Sequence, residues 1–128
     1  MKRHNLEAMI AWLDALRRRD LRALRAALDP AVVWQGLRED LSCYGPDEVA
    51  ANFVAARDEG YDIDALELIP APGHVVLGAH RAGLQEVAGV PLHGEIYNVF
   101  AITNNTITRI EDYGNRADAL TAAGLADD

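Results

Sequence analysis

The sequence of 128 residues predicts an α+β fold, a cone-shaped, curved antiparallel β-sheet wrapped around N-terminal helices. Three observations carry that expectation. Helical periodicity dominates up to Gly60 and disappears after it; four strand-like runs separated by turn residues follow; one further short helix closes the chain. Helices gathered on one face of such a sheet leave a conical cavity. The length supports one sizeable core and not two, so residues 1–128 read as a single domain.

The first element is an amphipathic helix, because Leu6, Met9, Ile10, Leu13 and Leu16 recur at helical spacing, with Trp12 on the flank of that stripe. Asp20 is placed to cap a second, shorter helix whose Leu21, Leu24 and Leu28 share a face, and Asp29-Pro30 ends it. The β-branched and aromatic run AVVWQG (31–36) reads as a short strand. From Leu37 to Tyr44 no period is visible, and a loop is expected. Gly45-Pro46 opens a third helix with Asp47 and Glu48 in its first turn, Val49, Phe53 and Val54 on its apolar side, and Gly60 at its end.

After Gly60, YDIDALELIP (61–70) alternates, with Ile63 and Ala65, then Leu68 and Ile69 beyond a bulge, turned inward. Pro70 to Gly73 make a turn. HVVLGAHRAGL (74–84) and PLHGEIYNVFAIT (91–103) are longer strands, and Asn104-Asn105 forms a tight hairpin into TITRIEDY (106–113), since Asn tolerates positive φ. Asn115 caps a last helix, RADALTAAG (116–124), with Asp118 at its third position and Gly124 at its end. The four strands form an antiparallel meander.

Composition excludes several function classes. Half of the residues are hydrophobic and a quarter charged, as in ordinary globular domains. No apolar run approaches the roughly 20 residues that span a bilayer, and the first twenty residues lack a signal peptide's apolar core and cleavage site, so a cytoplasmic protein with no membrane partner is expected. The net charge of −8 argues against nucleic acid as a partner, because that affinity comes mainly from neutralised phosphates. The basic cluster RRRDLRALR (17–25) is read as a solvated face at a helix junction. A single cysteine, Cys43, rules out an internal disulfide and reads as a small apolar residue in a loop. Four scattered histidines without ligand spacing offer no metal motif, and with no nucleotide loop or nucleophile elbow no cofactor is expected.

Strand parity points to a site. With Val99 and Ala101 turned away from the cavity, Ile96, Asn98 and Phe100 face into it, and on the next strand Thr108, Ile110 and Asp112 do likewise. A carboxylate among Ile96, Ile110 and the rings of Trp12 and Trp34 is poorly solvated, and its pKa is expected to rise toward the range useful for proton transfer. His80 is the expected partner of Asp112 in an acid/base pair, although a one-residue slip would bring in Arg81 instead. Asn98 is expected to orient a substrate carbonyl or fix the aspartate. Phe53 belongs to the same pocket, and Tyr44 sits over its mouth as a lid residue. Tyr97, Val99, Ala101 and Ile107 form an outward apolar stripe, from which a homodimer through the outer sheet face is expected.

The stretches AMIAWLDALRRRDLRALRAALDPAVVWQG (8–36) and NVFAITNNTITRIEDYGNRADAL (98–120), in this element order, resemble the nuclear transport factor 2-like superfamily, a cystatin-like roll, and its SnoaL-like members in particular. The resemblance covers nearly the whole chain. It implies that Asp112 lies where SnoaL-type polyketide cyclases and limonene-epoxide-hydrolase-like enzymes hold an acid/base aspartate. The hydrolase-like enzymes also use an arginine and a second aspartate on the strand corresponding to 74–84, and an aromatic-x-Asn on the first strand; here these places hold His80 and Arg81 without an acid, and Trp34-Gln35-Gly36. Ketosteroid-isomerase-like members keep their base near Gln35 and Gly36 and an oxyanion-stabilising tyrosine at Trp12, and neither replacement supports the same proton chemistry. Three expectations follow: cofactor-free acid/base chemistry on a small hydrophobic carbonyl or ring compound, non-catalytic binding of such a molecule, or a structural dimer with a filled cavity.

Overall fold

A computed structural model describes residues 2–58, 65–81, 84–87 and 89–125. In order these form α1 (Lys2–Arg17), α2 (Leu21–Ala26), β1 (Leu28–Gln35), β2 (Ser42–Tyr44), α3 (Gly45–Asp58), β3 (Ala65–Ala71), β4 (His74–His80), β5 (Glu86–Val87), β6 (Val90–Pro91), β7 (Glu95–Thr103), β8 (Thr106–Tyr113) and α4 (Arg116–Ala122). One sheet has the order β2-β1-β8-β7-β4-β3, and β5 pairs with β6 as a separate hairpin. The predicted α+β class holds, and the meander β3, β4, β7, β8 is antiparallel throughout. The sheet is mixed, however, because β1 lies parallel to β8. A strand paired with a partner so distant in sequence leaves no local sign of its direction.

Local chemistry explains most boundaries. The Asp20 carboxylate accepts from Ala23 N at 3.1 Å and caps α2. Asp29-Pro30 lies inside β1 rather than ending a helix, and Pro30, lacking an N–H, falls in the irregular stretch of the β1–β8 ladder between Leu28 and Val33. Asn104 and Asn105 take φ values of 51° and 63° at the β7–β8 hairpin. The Asn115 side chain accepts from Asp118 N at 2.9 Å, and Gly124, at φ 82°, ends α4 with Leu125 N donating to Leu120 O at 2.9 Å. Residues 42–44 add β2 where a loop was expected, and β5–β6 interrupts what read as one long strand from 91.

Each face of the sheet has its own cover. On the concave face α1 packs against β3 and β4, and α3 against β1 and β2. Met9, Trp12, Leu24, Val32, Val49, Phe100, Ile107 and Ile110 meet there in a buried cluster. Burying a side chain such as Phe100 contributes roughly 1.5–3 kcal/mol. On the convex face Ala119 and Ala123 of α4 and its C-cap cover Ala71, Val76, Tyr97 and Val99.

Several expected side-chain directions change. Trp12 lies at the centre of the α1 stripe, at 1% exposure, and Ile10 points to solvent at 59%. A one-residue irregularity opposite Ala101 turns Ile107 into the concave core together with Ile110, and the Thr108 hydroxyl donates to Ala101 O at 3.2 Å. Ile107 is thus no part of an outward stripe, and Tyr97 and Val99 are covered by the chain's own last helix. Of the stripe from which a dimer was expected, Ala101 is half-buried and lies outside the convex cluster. On β3, Leu68 joins the concave core and Ile69 the convex cluster. Ile63 and the side chain of Ala65 lie outside the described residues.

Candidate functional site

A cavity of about 1200 Å³ opens between α1, α3 and the concave face of the sheet. Leu13 and Leu16 of α1, Phe53 and Ala56 of α3, and Leu66, Leu77, Ala79 and Ile96 of the sheet make most of it apolar. Among the described residues the charged groups on its lining other than Asp112 are Asp14, Arg17 and Asp40, all exposed at the rim, and Asp112 is the charged group at its floor.

Strand register builds that floor. Asn98 stands directly opposite Asp112 on the β7–β8 ladder, and Leu77 opposite Asn98 on β4–β7. On the other side Cys43 stands opposite Trp34. A row therefore crosses the sheet from Asp112 and Asn98 at its polar end to Leu77 and Leu68 at its apolar end, while Trp34 is paired with Ile110 and reaches Asp112 diagonally along β8. Trp34 Nε1 donates to Asp112 Oδ1 at 2.8 Å, and Asn98 Nδ2 donates to the same oxygen at 2.5 Å. Among the described residues no donor reaches Oδ2, which is not sealed in the protein and keeps contact with the cavity.

The cavity leaves Asp112 half-buried as a residue while its carboxyl lies deep in the molecule. Burial pushes its pKa up to about 7, against the opposing pull of the bonds from Trp34 and Asn98. Desolvation wins because neither donor carries a charge. The Trp34 ring that supplies one bond is fixed in turn by stacking on Phe53, with centroids 3.9 Å apart and an interplanar angle of 25°. The Cys43 thiol is pushed above its usual value by burial, and further by the charges of Glu48 and Asp112, so it is held as a neutral thiol.

The expected site residues separate into two groups. Asp112, Asn98, Trp34, Phe53 and Ile96 come together on the cavity. His80 does not: Ala79 takes the inward place on β4, and His80 lies on the convex face, with Nε2 at 3.4 Å from the Tyr97 hydroxyl and 3.9 Å from Glu67 Oε1. A pairing of His80 with Asp112 is thereby corrected, and Arg81 is also absent from the cavity lining. Trp12 and Ile110 are fully buried beneath the cavity wall instead of lining it. Trp12 meets Phe53 edge-to-face at 5.4 Å, and its Nε1 has no acceptor among the described residues. Tyr44, expected over the mouth, is 65% exposed and is not among the residues that line the cavity. Cys43 and the segment 36–41 were missed as lining. Only the edge pairing of β2 on β1 brings them there, and no period in 37–44 announces it.

No protein-family model matches the chain, and no curated protein matches it. Solved structures do. An NTF2-like protein from Burkholderia xenovorans is 16% identical and superposes with a TM-score of 0.68, over 96% of this chain and 97% of that one. A candidate SnoaL-like polyketide cyclase from Jannaschia is 16% identical, with a TM-score of 0.64 over 99% and 96% of the two chains. A candidate ketosteroid isomerase from Kribbella flavida is 12% identical, with a TM-score of 0.62 over 91% and 81%. Identities this low establish a common fold, and the chemistry has to be argued from the residues.

Proposed function

On a nuclear transport factor 2-like fold with the Asp112 carboxyl at the floor of its cavity, we propose that this protein transfers a proton within a small hydrophobic carbonyl or ring compound, without a cofactor, through Asp112. The observation that supports it is the arrangement of that carboxyl. Oδ1 is tied down by Trp34 and Asn98, Oδ2 is open to the cavity, and the pKa of about 7 keeps both protonation states populated near neutral pH. A general base needs the ionised form and a general acid the neutral one. A group poised between them can serve as both in one turnover.

Asp112 is the one carboxylate at the cavity floor among the described residues, and no histidine joins it. One group that both accepts and returns a proton suits a shift between two carbons of one substrate: Oδ2 takes a proton from the carbon next to the carbonyl of an unsaturated ketone, and the resulting dienolate takes it back from the Asp112 carboxylic acid at the far carbon of the conjugated system. The second hydrogen of the Asn98 amide is available to the carbonyl oxygen. The apolar wall formed by Leu77, Leu66 and Ile96 would hold the hydrocarbon body of the substrate.

The test is solvent exchange. Incubated in D2O with a panel of neutral cyclic ketones, the protein is expected to catalyse deuterium incorporation next to the carbonyl, read by mass spectrometry. Asp112→Asn is expected to lower the rate roughly a hundredfold or more, the scale of a lost general base. The second reading, a binding protein for the same kind of molecule, draws support from the lack, among the described residues, of a second acid/base group beside Asp112. Tight binding of a ketone with no exchange above the buffer rate would select it.

A further inference from the structure

The cavity mouth is shaped by a segment that has neither helix nor strand. Residues 36–41 leave β1 and return to β2, and Gly36, Leu37, Asp40 and Leu41 line the cavity on the way. Such a stretch exposes backbone carbonyls that need partners. Here they converge on one side chain. Gln35 Nε2 donates to Arg38 O at 2.7 Å, to Leu41 O at 3.3 Å and to Gly36 O at 3.4 Å. Its other end is held too, since Ser42 Oγ, directly opposite on β2, donates to Gln35 Oε1 at 2.9 Å.

The loop is also tight. Gly36 N donates to Leu41 O at 2.6 Å, and a Cβ on Gly36 would stand 2.8 Å from Leu41 Cβ and 3.0 Å from Leu41 O. Parity explains why a glutamine does this work. Trp34 points into the cavity to reach Asp112, so Gln35 points the other way, toward the loop carbonyls. We propose that Gln35 is a positioning residue that sets access to the cavity: its carboxamide holds segment 36–41 as a fixed rim, and the size of molecule admitted depends on that hold. This rests on the reading of the cavity as a ligand site and adds what governs its selectivity by size.

Cys43 supplies a reporter that needs no substrate. It is the chain's one cysteine, it lines the cavity, and it is half-buried. Its alkylation rate therefore measures passage through the mouth. The experiment compares a small reagent, N-ethylmaleimide, with a bulky one, pyrene maleimide, on the intact protein at mildly alkaline pH. Gln35→Glu keeps the shape and the bond from Ser42 but removes the donor to the three carbonyls. It is expected to raise the pyrene maleimide rate about tenfold, with a smaller rise for N-ethylmaleimide. Ser42→Ala, which leaves those donated bonds in place, is expected to raise it less.

Gly36→Ala keeps the Gln35 donor but forces Leu41, whose carbonyl Gln35 holds, off its place, and is expected to reproduce the effect of Gln35→Glu. Urea melts of each variant identify labelling that arises from global unfolding, which would raise both reagents equally. A pyrene maleimide rate in Gln35→Glu equal to that of the unaltered protein, or an equal rise for both reagents, would overturn the proposal. So would a Gly36→Ala effect without one from Gln35→Glu, because the rim would then be set by packing alone. Loss of deuterium exchange leaves all of these outcomes unchanged, so failure of proton transfer and failure of the rim are told apart.

Discussion

Glu111 and Asp112 are neighbours on β8, and the pleat sends them to opposite faces of the sheet with opposite consequences. On the convex face Glu111 accepts from Arg109 Nε at 3.0 Å and from the Tyr113 hydroxyl at 3.2 Å. Nearby, Glu67 holds Arg116 at 3.0 Å, with both side chains partly in water. On the concave face Asp112 has two neutral donors, no cation among the described residues and a deep position. The difference teaches that a carboxylate's chemistry here is set less by its number of hydrogen bonds than by whether a counter-charge and solvent accompany it. The convex face spends its charges on each other. The concave face leaves one unbalanced, and an unbalanced carboxyl is the one whose proton is available for chemistry.

The contrast can be broken most strongly at Asp112. Its folded pKa is raised above the unfolded value, so the native chain binds more protons than the unfolded one between about pH 4 and 7. The stability associated with the proton is fully present below pH 4 and is lost as pH rises through about 7. Asparagine carries no such dependence and still accepts from Trp34 and Asn98. Asp112→Asn should therefore gain on the unaltered protein across that range, by on the order of 4 kcal/mol at the upper end. Urea unfolding from pH 4 to 8 measures it. Parallel stability curves for the two proteins would place the carboxyl in a solvated setting like that of Glu111.

A smaller effect is expected from the convex side, where packing matters more than charge. Tyr97 lies across Gly78 at 1% exposure, and burial pushes its hydroxyl up to about 12. A Cβ at Gly78 would meet Tyr97 Cε2 at 2.6 Å, and the neighbouring Ala119 and Ala123 of α4 and its C-cap limit how far the ring can retreat. Gly78→Ala should cost about 1–3 kcal/mol, as overpacking does. Its Asp112 titration, followed by carboxyl NMR, should stay near the original midpoint, because the strain falls on the other face. A shifted midpoint would mean that the two faces are coupled through β4.

The least effect belongs to the convex ion pairs. Arg109→Ala removes the partner of Glu111 from a pair in which both side chains are partly exposed. A change below about 0.5 kcal/mol in the same urea melts is expected. A loss of several kcal/mol would show that the convex carboxylates are as poorly solvated as Asp112, and the contrast between the faces would fail.

Local sequence determined much of this molecule. Capping by Asp20 and Asn115, the Asn104-Asn105 hairpin, the start of α3 at Gly45-Pro46 and the inward direction of Asn98, Ile110 and Asp112 all follow from neighbours a few residues away, where short-range sterics and hydrogen bonding decide. Tertiary structure decided the rest. VVLGAH on β4 shows no alternation because both of its faces are covered, the concave one by the main core and the convex one by α4. With no polar side to mark, the parity that separates Ala79 from His80 could not be read. The displacement of Trp12 to the middle of its stripe depends on Phe53 and Phe100, which arrive from α3 and β7. Cys43 reaches the cavity only because β2 pairs along β1, and Asp112 is the floor only because β1, from the other end of the chain, lies beside β8. Contacts between distant segments carry no periodic mark in either one, so the carboxylate and its Asn98 partner were legible while the Trp34 hydrogen bond and the outward place of His80 were not.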